Sequence, residues 1–258
     1  MLTIEQSCRL SIHNHAMGVS GMLKYFDKIV RGTEQEDSRV IIQSLKGMIG
    51  NNFTLLNYYK EIPVSYDAKL LSVENEMAEF QVHEYQAKVI NLERTVMIQS
   101  RNTKAFLDDI CGEAFYVNSA KKRVIICRFA YAKIRSSLRR FVRVRLDRQI
   151  QAELMYEGQF LSGNVKDLSL GGAAIIFDSN DILLPGSEVN LSLKMPDSSR
   201  DTITEVGVIA TVVDVFGDEA PFTCILEFHP EKHSQQQIAY FINQRQVEII
   251  KELKELVD

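Results

Sequence analysis

No apolar run in this sequence approaches the ~18–20 residues that cross a bilayer, so no membrane-spanning helix is expected. The opening Met1-Leu2-Thr3-Ile4-Glu5-Gln6 lacks the basic start and apolar centre of a secretion signal, and the expected location is the cytoplasm. Cysteine is sparse. Cys8, Cys111, Cys127 and Cys224 are scattered with no C-x-x-C pair, and they read as reduced, partly buried thiols. A net positive charge is also lacking: the net charge of -4 excludes a basic protein that searches nonspecifically along nucleic acid. There is no G-x-S-x-G, P-loop, H-E-x-x-H or glycine-rich dinucleotide fingerprint, so an enzyme is not expected. Asp108-Asp109 reads as a surface pair rather than a catalytic dyad. His13 and His15 form an H-x-H pair without a third ligand, which leaves surface histidines and no expected metal.

What is present suits two modest domains: 258 residues, 45% hydrophobic and 25% charged. Met22-Leu23, Phe26 and Ile29-Val30 recur at helical spacing before Arg31-Gly32, and the acidic Glu34, Glu36 and Asp37 read as a solvated loop before a helix. Ser38 is the expected N-cap of a helix with Ile41, Leu45 and Met48-Ile49 on one face, ended by Gly50-Asn51-Asn52. Residues 1–37 are thus expected to be a helical extension. Phe53 to Tyr59 is expected to pack on the next domain. The period then changes. Ala68–Val73 and Ala78–Val82 read as a strand pair around Glu74-Asn75-Glu76, and Thr95–Ile98, Ala114–Val117 and Val124–Phe129 as further strands. Tyr85–Leu92 fits a short helix or a loop equally. Lys121-Lys122-Arg123 sits in a turn and reads as a solvated hairpin tip. A small all-β domain over 38–132 follows, then a polar linker over 133–138.

In the last part, 139–258, Val142, Val144 and Leu146 alternate with Phe141, Arg143 and Arg145, so one strand face is apolar and the other presents arginine. Glu157-Gly158 marks a hairpin, Ala173–Phe177 a strand buried on both faces, and alternation resumes at Val189–Met195, Val206–Val215 and Phe222–Phe228. Six or seven short strands with such turns argue for a closed antiparallel barrel. Ser234–Leu256 is predicted to be a helix carrying Ile238, Ile242, Ile249, Leu253 and Leu256 on one side, packed on the barrel or forming a homodimer contact. The predicted class is mainly β: two small antiparallel barrels, a helical start and a C-terminal helix.

Two stretches stand out against this frame. Leu138-Arg139-Arg140-Phe141-Val142-Arg143-Val144-Arg145 is a local cationic strip in an acidic chain. Asp167-Leu168-Ser169-Leu170-Gly171-Gly172 is a turn of small and polar residues. Guanidinium groups grip phosphate bidentately and stack on planar rings, and Asp and Ser bind base edges or phosphate. Together they suit one anionic, purine-containing ligand. Arg139-x-x-x-Arg143 followed by Asp167-x-Ser169-x-x-Gly172 resembles the paired signature of PilZ domains, bacterial receptors for cyclic dimeric GMP (cyclic di-GMP). The order helix, small barrel, linker, arginine motif is similar to the flagellar-brake branch of that family.

The resemblance implies a receptor rather than an enzyme. Arg139 and Arg143 would bond guanine N7 and O6 or stack over the base, and Arg140 would neutralise phosphate. Asp167 would accept from guanine N1–H and N2, and Ser169 would serve a base edge or a phosphate. Gly171 and Gly172 would let the backbone pass close to the ligand. Leu138 before the motif leans toward one ligand per chain rather than an intercalated pair. Binding at the linker would reorient the two domains and change a contact with an unnamed protein partner, for instance in the flagellar motor or secretion machinery, with motility, attachment and polysaccharide control all open. No other cofactor, no nucleic acid and no stable membrane insertion are implied. The competing readings are a solvated arginine edge beside an Asx-type turn, a single-stranded nucleic-acid-binding barrel, and a PilZ fold that binds no ligand and serves only as an interaction module.

Overall fold

The computed structural model describes residues 25–99, 106, 108–134, 141–147, 150–181, 183–197 and 202–256. The chain divides into two compact units, one holding Met1–Tyr59 and Pro63–Arg139, the other Lys60–Ile62 and Arg140–Leu256.

The first unit contains strand β1 (Phe26–Ile29), helix α1 (Glu34–Lys46), strands β2 (Asn52–Tyr59), β3 (Ile62–Glu74) and β4 (Met77–Gln81), helix α2 (Glu84–Glu93), and strands β5 (Thr95–Gln99), β6 (Asp109–Asn118) and β7 (Arg123–Ile134). Strands β7-β4-β3-β2-β5-β6 close on themselves through a β6–β7 pairing, and β1 adds to β7 from outside. Among the described residues, closure leaves the short β1 as the edge of this sheet. The interior cluster includes Phe53, Leu55, Leu70, Phe80, Ile98, Ile110 and Ile126, joined by Ile41, Ile42 and Leu45 of α1.

Several local readings change here. Phe26–Ile29, helical by spacing, is a strand, because it pairs antiparallel with the end of β7 from Phe26↔Ile134 to Ile29↔Tyr131. A pattern of so few residues does not separate the two periods, and tertiary pairing decides. The N-cap of α1 is Thr33, not Ser38. Its hydroxyl accepts from Glu36 N at 3.2 Å and the Glu36 carboxylate accepts from Thr33 N at 3.0 Å, a reciprocal capping box. The acidic residues expected in a loop are therefore the first helical turn, and buried Asp37 accepts from the Arg31 and Gly32 amides. Phe53–Tyr59 is β2 of this barrel, with Phe53 and Leu55 in its interior, rather than a segment reserved for the next domain. Tyr85–Leu92 is helical. Asn75 and Glu76 both have positive φ, 47° and 61°, as the tight β3–β4 turn requires. Lys133 and Ile134, assigned to the linker by sequence, end β7. Two of the three cations at the β6–β7 turn are paired: Lys122 with Glu84 at 2.8 Å and Arg123 with Glu79 at 2.9 Å.

The second unit contains β8 (Arg143–Arg145), β9 (Gln151–Tyr156), β10 (Gln159–Ser169), β11 (Gly172–Phe177), β12 (Glu188–Asp197), β13 (Thr202–Phe216), β14 (Phe222–His229) and helix α3 (Lys232–Glu255). Strands β11-β14-β13-β12-β9-β10 close through β10–β11, and β8 adds to β10 from outside. Each unit is thus a six-stranded antiparallel barrel with one added strand. Helix α3 packs on β8, β10 and β13. Its buried stripe is Ile238, Ile242, Arg245, Ile249 and Leu253. Arg245, passed over in the sequence because it is charged, fills the gap in the apolar series. Its guanidinium donates to Glu248 and Glu252 at 3.0 Å each and to the Arg145 carbonyl at 3.3 Å, and it also pairs with Asp147. These bonds satisfy the charge that burial would otherwise penalise, and they hold the end of β8. Among the described residues, no helix is long and apolar enough to cross a membrane.

Cys111, Cys127 and Cys224 are all buried. Burial pushes the Cys111 thiol up to about 11 and the Cys224 thiol up to about 12. The thiolate is the reactive form, so these groups are protected twice. Titration of the native chain with Ellman's reagent at pH 8 is expected to show no more than one fast thiol, Cys8, with the other three appearing only on denaturation. Three or four fast thiols would mean that the barrels open readily.

Candidate functional site

Strand β8 is three residues long, and its middle residue decides its orientation. Val144 is fully buried, so Arg143 and Arg145 point out of the barrel. Val144 begins a row of interior neighbours, Val144↔Leu168↔Ala173↔Leu226↔Val212, each 5% exposed or less. This apolar row locks the register of β8, β10, β11, β14 and β13, because a one-residue slip would turn every one of these side chains outward.

Two outward rows flank it. One runs Arg143↔Ser169↔Gly172↔Glu227↔Thr211↔Glu188. The other runs Arg145↔Asp167↔Ala174↔Ile225↔Asp214. Directly paired residues share a face, so Arg143 and Arg145 stand beside Ser169 and Asp167 on the outer side of the sheet. The middle of both rows, on β11, is Gly172 and Ala174. These two β11 members carry no long side chain, with Arg143 and Arg145 on the β8 side of them and Glu227 and Ile225 on the β14 side.

A β-bulge aims the second motif. Along β10, Val165 pairs Ile175, but the next pair is Asp167↔Ala174, so Lys166 is an inserted residue. Before it, odd-numbered Gly163 and Val165 face inward. After it, Leu168 faces inward, and Asp167 and Ser169 turn outward. Without the inserted residue the motif side chains would point into the core.

Asp167 Oδ1 lies 3.7 Å from Arg143 Nη1, a diagonal ion pair across β8–β10. With Arg143 about one-third exposed, such a pair contributes under ~1 kcal/mol to stability; its effect is to orient the guanidinium. Asp167 is only 8% exposed. Its expected role at a guanine edge is compatible with this ion pair, which engages Oδ1. Ser169, 7% exposed, donates from Oγ to the Gly172 carbonyl at 3.0 Å. This bond ties β10 to β11 across the turn, and the hydroxyl oxygen keeps acceptor capacity.

The close approaches made by Gly171 and Gly172 are to the chain itself. A Cβ on Gly172 would stand 2.1 Å from the Leu226 carbonyl oxygen of β14. A Cβ on Gly171 would stand 2.8 Å from the Phe141 ring. Phe141 therefore lies against the motif turn, a neighbour that the sequence suggested only as an aromatic among arginines. Arg145 was also passed over, although its alternation with Arg143 was visible. Glu227 carried no sequence signal. Arg139, Arg140 and Leu138 lie outside the described residues. Among the described residues, no group of three or more His, Cys, Asp and Glu side chains is placed to hold a metal ion.

Gly172→Ala is expected to force β14 away from β11 and to lower stability by about 1–3 kcal/mol in urea denaturation. Gly171→Ala is expected to cost less, because a ring can move where a backbone carbonyl cannot. Equal, small effects would mean that the β11–β14 contact is looser than described.

The family model described as "PilZ domain" matches residues 137–244. No curated protein matches the chain. Among solved structures, the chain is similar to YcgR from Escherichia coli in complex with c-di-GMP, with 11% identity, TM-score 0.42, and 90% of this chain and 97% of that chain covered. It is similar to the MrkH-c-di-GMP complex of K. pneumonia, with 14% identity, TM-score 0.43, and 88% and 100% covered. It is also similar to the inhibitor of motility MotI/DgrA of Bacillus subtilis, with 17% identity, TM-score 0.40, and 78% and 97% covered. The matched segment, 137–244, holds Arg139, Arg143, Asp167, Ser169 and Gly172 and most of the second barrel, and over that segment the chain is similar to the PilZ domain.

Proposed function

We propose that this chain is a receptor for cyclic di-GMP and binds it on the outer face of the second barrel. The observation that carries the reading is the outward row in which Arg143, Ser169 and Gly172, drawn from two separate motifs, are direct neighbours. Arg143 and Arg139 bond guanine N7 and O6 or stack over the base, and Arg140 neutralises phosphate. Asp167 holds the Arg143 guanidinium and presents its remaining acceptor capacity to the guanine, while Ser169 serves a base edge or phosphate. Gly171 and Gly172 add no side chain of their own between these groups and the ligand.

The functional domains are the first barrel with its helices, from β1 to the end of β7 at Ile134 and the counterpart of the amino-terminal domain of the flagellar-brake branch, and 139–258, joined by the residues between. Arg139 and Arg140 adjoin the join, so a ligand that engages them couples binding to the orientation of one domain against the other. The output is a changed contact with a protein partner in the cytoplasm, serving motility, attachment or polysaccharide control, and the chain performs no chemistry on its ligand.

Calorimetry on the full chain tests the reading. Charge-assisted hydrogen bonds contribute roughly 1.5–3 kcal/mol each, so Arg139→Ala/Arg143→Ala is expected to lose about 3–6 kcal/mol, turning submicromolar binding into undetectable binding. Near wild-type affinity in that variant would refute the assignment. Small-angle scattering is expected to change on ligand addition; superimposable curves would remove the reorientation while leaving the binding site standing.

A further inference from the structure

The row that carries Arg143, Ser169 and Gly172 does not stop at β11. Its next member is Glu227 on β14, in direct register with Gly172, followed by Thr211 and Glu188. Glu227 is exposed, while Leu226 and Phe228 on either side of it are buried, which fixes its side chain on the outer face. Adjacent strands lie about 4.8 Å apart, so the Glu227 backbone is roughly 10 Å from that of Ser169 and roughly 14 Å from that of Arg143. Between them on β11 stand Gly172 and Ala174, which carry no long side chain of their own. The row is therefore electrically asymmetric, with Arg143 at the β8 end and the Glu227 carboxylate on β14.

A carboxylate is out of place in a site for a dianion unless it meets donors. A phosphate does not supply them. The Watson–Crick edge of guanine does: its N1–H and N2 amine point the same way and match the two oxygens of a carboxylate. Adenine presents a lone pair at N1 instead, which a carboxylate repels. Asp167, the acidic side chain beside Arg143, serves the guanine on the β8 side, and Glu227 is the exposed carboxylate toward β14.

We propose that Glu227 is a purine-specificity residue of this site, accepting hydrogen bonds from the N1–H and N2 amine of one guanine of the cyclic dinucleotide and discriminating against adenine. The proposal rests on the cyclic di-GMP reading above. In that arrangement the ligand lies across the row, its phosphates and one guanine toward the β8 arginines and its other guanine toward β14. A site built to receive base donors rejects an analogue that lacks them, because its own polar group is then left facing a lone pair.

The test is calorimetric titration of the full-length wild type, Glu227→Gln, Glu227→Ala and Arg143→Ala with cyclic di-GMP and with cyclic di-AMP, with thermal melts to check folding. Glu227→Gln and Glu227→Ala are expected to weaken cyclic di-GMP binding about tenfold or more and to narrow its preference over cyclic di-AMP. Arg143→Ala is expected to weaken binding of both dinucleotides and leave their ratio nearly unchanged. Unaltered affinity and selectivity in the Glu227 variants would overturn the proposal while leaving the receptor assignment intact. Tighter binding of both dinucleotides would also overturn it, since Glu227 would then be a repulsive charge only. Failure of the wild type to bind cyclic di-GMP would overturn the assignment itself.

Discussion

The burial of Val144 is the constraint on which the candidate site depends. It is one side chain on a three-residue strand, yet it sets which way two arginines face. Its partners in the interior row, Leu168, Ala173, Leu226 and Val212, extend that decision across five strands. Fully burying a branched aliphatic side chain is favourable by about 1.5–3 kcal/mol, and a slip in register would forfeit several such contacts at once. The polar outer row is held in place by an apolar row that no ligand touches.

Strand β8 needs this support because it is an edge. It pairs with β10 alone within the sheet. From the other side, Arg245 of α3 reaches the Arg145 carbonyl, so the C-terminal helix braces the strand that presents the arginines. A buried guanidinium tolerates its position only because carboxylates of Asp147, Glu248 and Glu252 surround it. The helix thus contributes to the site without lining it.

Much of this was legible in the sequence, and the rest was hidden for definite reasons. The alternation of Val144 with Arg143 and Arg145 is a local, two-residue period and reads directly. The Asp167-x-Ser169 motif reads as a polar turn. Its outward aim does not, because it needs the inserted residue Lys166, and nothing in Val165-Lys166-Asp167 marks a bulge. Glu227 was out of reach for a different reason. Its neighbour Gly172 is 55 positions earlier, and strand pairing over such a distance is a property of barrel closure. Arg245 was missed because a charged residue was not sought in a buried stripe. Thr33 and Glu36 spell a capping box in plain sequence, so there the signal existed and the more distant Ser38 was preferred.

The central claim is that one outward row, from β8 through β10 and β11 to β14, forms a single ligand surface. Amide chemical-shift mapping of the isotopically labelled full chain during titration with cyclic di-GMP tests it most directly. The account predicts shifts concentrated at Arg143–Arg145, Asp167–Ala174 and Ile225–Glu227, with Met155 and Asn190 on the far side of the barrel unmoved. Shifts confined to that far side, or absent from β8 and β10 while ligand binds, would contradict it.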